Sequence, residues 1–87
     1  MKRRVIRMIM IDVLIPPLDE NFDFEVDEEI MLGEFIGKLT RIVENVRNVR
    51  FNCRSFNLFS FKKGDFIKDD QSFAMQGIKS GERFVLV

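Results

Sequence analysis

Nine carboxylates and no basic residue lie between Asp12 and Glu34, and three of them, Asp23, Glu25 and Asp27, alternate with Phe22, Phe24 and Val26. Closely spaced carboxylates can move protons or hold a hard cation, but both tasks need a concave, water-poor setting. Alternation with apolar residues puts these carboxylates on the solvated side of a strand instead. Asp23 and Glu25 are therefore candidates for a secondary contact with a basic protein surface, not for catalysis or metal binding. A second cluster has the opposite sign. Arg47, Arg50 and Arg54 are interleaved with Phe51 and Phe56, the mixture of cations and stacking rings that single-stranded RNA recognition uses. Three arginines make a thin case, because 14 Lys and Arg balance 14 Asp and Glu over the 87 residues. The general attraction to a polyphosphate backbone is then lacking.

Nucleophiles and redox groups are scarce. The single cysteine, Cys53, cannot close an intrachain disulfide and has no neighbours with which to hold zinc or an iron–sulfur cluster. Its arginine neighbours favour a thiolate, but no base or resolving cysteine accompanies it. Histidine is absent, so chemistry built on a Ser-His or Cys-His pair is excluded. The expectation is a non-enzymatic chain with no catalytic residue, no cofactor and no metal. The basic opening Lys2-Arg3-Arg4 followed by Val5, Ile6 and Met8 to Ile11 imitates a secretory leader. Arg7 and Asp12 interrupt it, and no small-residue cleavage site follows. No uncharged stretch approaches the roughly 20 residues of a spanning helix. A cytoplasmic, reducing location is expected.

The elements that must position these groups follow from periodicity. Ile9, Ile11, Val13 and Ile15 share one parity and predict a first strand over residues 7–15, ended by Pro16-Pro17. Leu18 to Asn21 reads as a turn, and Phe22, Phe24 and Val26 predict a second strand that returns as a hairpin. Spacings of three and four then take over at Leu32, Phe35, Ile36, Leu39, Ile42 or Val43, and Val46, predicting a helix over 30–45. Asp27, Glu28 and Glu29 precede it as candidate caps. Gly33 and Gly37 share one side of it, where tight packing against a neighbour is the simplest use for them. Alternation resumes over 55–61, with a turn at Lys62–Asp65 and a short strand at Phe66-Ile67. One helical turn is expected around Phe73, Met75 and Ile78, and a last strand over 83–87. The composition, 46% apolar with ten Phe, supplies one core. The class is α+β: a β-hairpin, one long helix, then three further strands with a short helical turn, the helix packed on one face of a mixed sheet.

From Leu58-Phe59 through Ile67-Lys68-Asp69-Asp70, Ser72-Phe73 and Gly77-Ile78 to Gly81-Glu82-Arg83-Phe84-Val85-Leu86-Val87, the chain resembles the ubiquitin-like β-grasp proteins. With the Ile-rich first strand, the Phe22-Phe24-Val26 strand and the helix carrying Leu32, Phe35, Ile36 and Leu39, it is similar to the YukD/EsaB group, the small ubiquitin-like accessory proteins of bacterial type VII secretion. The resemblance covers one ubiquitin-like domain over residues 7–87; the basic N-terminal extension over 1–6 and the arginine-bearing stretch 47–54 depart from the family pattern. The resemblance implies a cytoplasmic adaptor whose protein partner belongs to the secretion machinery. Ubiquitin and the sulfur carriers close in a flexible Gly-Gly tail; the ending at Val87 inside a strand carries the expectation that this protein is not conjugated.

In such proteins the exposed sheet face is the usual docking surface. If the last strand lies beside the strand of Phe59, then Phe59, Phe61, Val85 and Val87 share a parity opposite to Leu58, Phe84 and Leu86 and form an apolar, outward patch. Binding of a protein partner there is the expected activity, with homodimerisation as another use of the same patch. The alternatives are an RNA-associated β-grasp module acting through segment 47–54, and a small regulatory subunit of a multicomponent enzyme.

Overall fold

The computed structural model describes residues 5–52 and 55–87; Cys53, Arg54 and most of the basic extension lie outside the described residues. The elements in chain order are β1 (Met8–Ile15), a 3-10 turn (Pro16–Leu18), β2 (Glu20–Asp27), α1 (Leu32–Arg47), β3 (Leu58–Ser60), β4 (Asp65–Phe66) and β5 (Glu82–Leu86). The strands form one sheet in the order β2-β1-β5-β3-β4. The central pair, β1 and β5, is parallel and the other pairs are antiparallel.

The alternation in β1 does what its parity requires. Ile9, Ile11, Val13 and Ile15 are buried, and Met8 and Met10 are exposed. Pro16 and Pro17 end the strand by opening the 3-10 turn. Asp19 then takes a left-handed conformation, φ 51°, with its N–H donating to Pro16 O at 3.0 Å. A short polar residue tolerates that geometry. The reversal is tighter than the expected turn through Asn21, so β2 starts at Glu20, directly opposite Ile15.

The helix is displaced from its expected span by two residues at each end, 32–47 rather than 30–45. Its apolar stripe runs through Leu32, Phe35, Ile36, Leu39 and Val43. Val46 lies on the same stripe by rotation of about 100° per residue, yet it is 57% exposed. The last turn therefore projects past the part of the sheet that covers the others. The acidic residues before the helix do not cap it. Met31 stands at the N-cap without a side-chain bond, and Asp27 Oδ1 accepts the Glu29 N–H within the preceding turn. The first helical donors go instead to a distant loop, Leu32 N–H to Gln71 O and Gly33 N–H to Asp69 O, both at 3.0 Å. That contact explains one glycine: a Cβ on Gly33 would stand 3.3 Å from Asp69 O, whereas one on Gly37 would meet nothing within 4 Å.

The helix stripe packs on the odd face of β1 and on Leu58, Ile67, Phe73, Ile78, Phe84 and Leu86. A chain of ring contacts runs through this core, Phe24 to Phe35 at 5.6 Å, Phe35 to Phe73 at 5.3 Å and Phe73 to Phe84 at 6.2 Å. Such contacts are a usual source of specificity in small Phe-rich cores. The expected helical turn near Phe73 is replaced by successive turns over 73–77. Gln76 N–H and Ile78 N–H both donate to Phe73 O, and Gly77 sits at φ 69°, a left-handed residue that stops helical propagation. The Gln76 side chain fastens this loop to its start, accepting from Lys68 N–H at 2.6 Å and donating to Lys68 O at 2.7 Å.

Candidate protein-docking face

The helix covers one face of the sheet and leaves the other open. Strand register decides what that open face presents. Phe59 lies opposite Val85 and Phe66, and Val85 lies opposite Leu14 across the parallel pair. Leu14, Val85, Phe59 and Phe66 therefore form one row across β1, β5, β3 and β4, on the side away from buried Leu58, Phe84 and Leu86. Phe61 and Val87 extend the row, since Phe61 N–H donates to Arg83 O and Val87 exchanges both backbone bonds with Asn57, continuing the β3–β5 ladder.

The four residues expected to form the patch are thus brought to one face but are not equally exposed. Phe61 and Val87 are 54% and 52% exposed. Phe59 and Val85 are half-buried, because Phe59 is enclosed edge-on by Phe61 at 6.3 Å and Phe66 at 5.5 Å. Two members were missed. Phe66, 53% exposed, reads from sequence only as part of a short returning strand. Leu14 carries the even parity of Asp12, which reads as the watery side until the parallel pairing sets it against Val85. That pairing leaves no local trace in the sequence.

The other half of the same face is acidic. Asp12 pairs in register with Asp23, and Met10 with Glu25; Asp23 and Glu25 are exposed. Arg83 Nε lies 3.3 Å from Asp12 Oδ2, and Asn21 Nδ2 donates to both oxygens of Asp12 at 3.2 Å. Among the described residues no group of three or more His, Cys, Asp or Glu is arranged to hold a metal ion.

The fold separates Arg47 from the rest of the basic cluster. Arg47 belongs to the last helical turn, where its Nε and Nη2 grip the Glu20 carboxylate at 2.7–2.9 Å and its guanidinium stands 5.2 Å from the Phe22 ring. The Arg47 hydrogen bonds hold the Glu20 carboxyl below the usual carboxylate range, and the same pair raises Arg47. Phe51 and Phe56 contact each other edge to face at 5.3 Å and pack, partly buried, against the core. Arg50 lines an open groove of about 860 Å³ beside α1, with Arg41, Gly37 and Phe51; Arg54 lies outside the described residues. The cluster is thus divided: Arg47 serves the hairpin, while Arg50, Phe51 and Phe56 line one groove beside α1.

No family model matches this chain, and neither does any curated protein. Solved structures do match. The EccD5 ubiquitin-like domain from Mycobacterium xenopi superposes with TM-score 0.77 at 15% identity, over 93% of each chain. The chain has the ubiquitin-like β-grasp fold. The ubiquitin-like domain of the Mycobacterium tuberculosis type VII secretion system protein ECCD1 matches with TM-score 0.72 at 14% identity, over 93% of this chain and 98% of that one. The N-terminal ubiquitin-like domain of the 4931431F19Rik protein also gives 0.72, at 17% identity, over 99% of this chain and 79% of that one. In ubiquitin-like terms, the row through Leu14, Val85, Phe59 and Phe66 occupies the sheet face opposite the helix. Among the described residues, no helix is long and apolar enough to cross a membrane.

Proposed function

We propose that this protein is a non-enzymatic ubiquitin-like adaptor, an accessory component of a bacterial type VII-like secretion system of the YukD/EsaB kind, working in the cytoplasm. It holds a protein partner against its open sheet face. One observation carries the reading: Phe59, Phe61, Phe66, Val85 and Val87 meet on the uncovered side of the sheet, with Phe61, Phe66 and Val87 more than half exposed. Rings clustered around a half-buried aromatic are what an interface centre requires, since a few desolvated aromatic anchors carry most of the energy of a contact. The likeness to two secretion-system ubiquitin-like domains supports the choice of machinery. The RNA-associated alternative is the weaker reading, because Arg47 is taken up by Glu20 and Phe51 and Phe56 are partly buried against the core.

The test is co-purification from the source cells with wild type and with Phe61→Asp combined with Phe66→Asp. Both side chains are exposed, so folding should persist, which circular dichroism checks. Recovery of a secretion component by wild type and its loss with the variant is the expected result. Equal recovery by both proteins removes the docking face, and recovery of only unrelated proteins removes the secretion assignment.

A further inference from the structure

We infer that the open edge of β2 is a strand-addition site for an extended segment in which Lys or Arg alternates with apolar residues. The site is separate from the aromatic row and does not depend on it. β2 is eight residues long and terminates the sheet. Glu28 N–H donates to Arg7 O at 2.9 Å, which fixes the hydrogen-bonded pairs of the antiparallel ladder as Ile9 with Val26, Ile11 with Phe24 and Val13 with Phe22. The even residues of β2 thus turn their backbone groups to β1. Those of Asn21, Asp23 and Glu25 point outward, where no strand among the described residues meets them. An edge of this length with unpaired donors and acceptors is a ready template for another strand.

The side chains along the edge specify the occupant. On the open face, Asp23 and Glu25 stand exposed beside the unpaired backbone groups, and nine carboxylates with no basic residue lie within 12–34. On the helix side, Phe22 and Phe24 are only partly buried, with ring centroids 6.3 Å apart, and the one cation beside them, Arg47 at 5.2 Å from the Phe22 ring, is already bound to Glu20. An added strand places alternate side chains on these two faces, cations next to Asp23 and Glu25 and apolar groups next to the two rings. A second β2 edge does not suit the site, because like charges would then face each other across the new pair. Charge complementarity therefore selects a basic partner strand.

The experiment uses the whole protein labelled with nitrogen-15 and two capped synthetic peptides of one composition, Lys-Val-Lys-Val-Lys-Val-Lys and Lys-Lys-Lys-Lys-Val-Val-Val. The alternating peptide should bind more tightly and should slow amide exchange at Asn21, Asp23 and Glu25, leaving Phe22 and Phe24 unchanged. Asp23→Asn with Glu25→Gln should weaken binding by about three- to tenfold, as expected for two exposed charge pairs. Glu25→Pro removes one outward N–H that β1 does not use and should abolish binding; if that variant does not fold, the charge variant still decides. Three results overturn the inference: no binding of the alternating peptide, equal binding of both peptides without slowed exchange, or outward amides already protected in the free protein in a concentration-dependent way. The last would mean that a second copy fills the edge.

Discussion

The two halves of the open sheet face share a backbone frame and differ in almost everything else. The β1–β2 half presents Asp12, Asp23 and Glu25 around Met10, and the β5–β3–β4 half presents Val85, Phe59, Phe61 and Phe66. Asp12 and Arg83 meet at the seam between them. In the acidic half Asp12 is held by Asn21 and Arg83, whereas Asp23 and Glu25 stand exposed and can act through charge or through the backbone beside them. In the aromatic half the rings already shield one another, so less of each must be desolvated when a partner arrives. One small sheet can in this way offer two chemistries, an edge that recognises strand and charge and a face that recognises shape.

The largest effect tests whether the halves are energetically one body. Phe84 is fully buried on the inner side of β5, between them, and touches Phe73. Phe84→Ala should cost about 3–5 kcal/mol, read by urea denaturation, with both halves unfolding together. Separate transitions at Phe59 and at Asp23 amides would show two independent regions and break the comparison. Next comes Gly37→Ala, which should stabilise the helix behind the face by about 0.5–1 kcal/mol because its Cβ meets nothing. Gly33→Ala should lose that gain or reverse it, since the Cβ would press on the Asp69 carbonyl that caps the helix. Thermal melts of the two variants distinguish them, and equal shifts would mean that the 69–71 loop does not hold the helix end.

Replacing Phe61 and Phe66 by Asp should cost about 0.5–1.5 kcal/mol per site, because each ring packs edge-on against Phe59, while removing docking on the aromatic half. Strand addition at β2 should remain intact, which separates the two chemistries directly. The smallest effect concerns the helix side of β2, behind the acidic half, where Glu20 meets Arg47. The Glu20 pKa is lowered chiefly by its hydrogen bonds to Arg47. The pair's contribution is therefore complete above the carboxyl's unfolded pKa and is lost as pH falls through its depressed folded value. Both groups are solvent-exposed, so the acid-side slope should be shallow and should weaken with salt. Glu20→Gln should remove it, as followed by melting temperature between neutral and acid pH.

Strand parity was legible where burial is one-sided. Ile9 to Ile15 and Phe22 to Val26 declare their inner faces because a period of two has only two phases, and Leu32 to Val43 declare a helix for the equivalent reason. The Phe59, Phe61, Val85 and Val87 parity was legible too, given one assumed neighbour. Leu14 and Phe66 were not, because their places depend on β1–β5 and β3–β4 registers set by residues far apart in the chain. The arginine cluster misled for a related reason. Proximity in sequence suggested one surface, but helix geometry carried Arg47 to Glu20, while Arg50, Phe51 and Phe56 stayed together along the groove beside α1.

By itself the sequence determined the class of structure and excluded histidine-based chemistry, because periodicity and composition are properties of the chain alone. Which residues share the open face, which strand forms an unpaired edge, and which loop caps the helix were decided only in three dimensions. Each of those depends on non-local backbone hydrogen bonds, whose donors and acceptors are identical at nearly every residue and so leave no mark in the order of side chains.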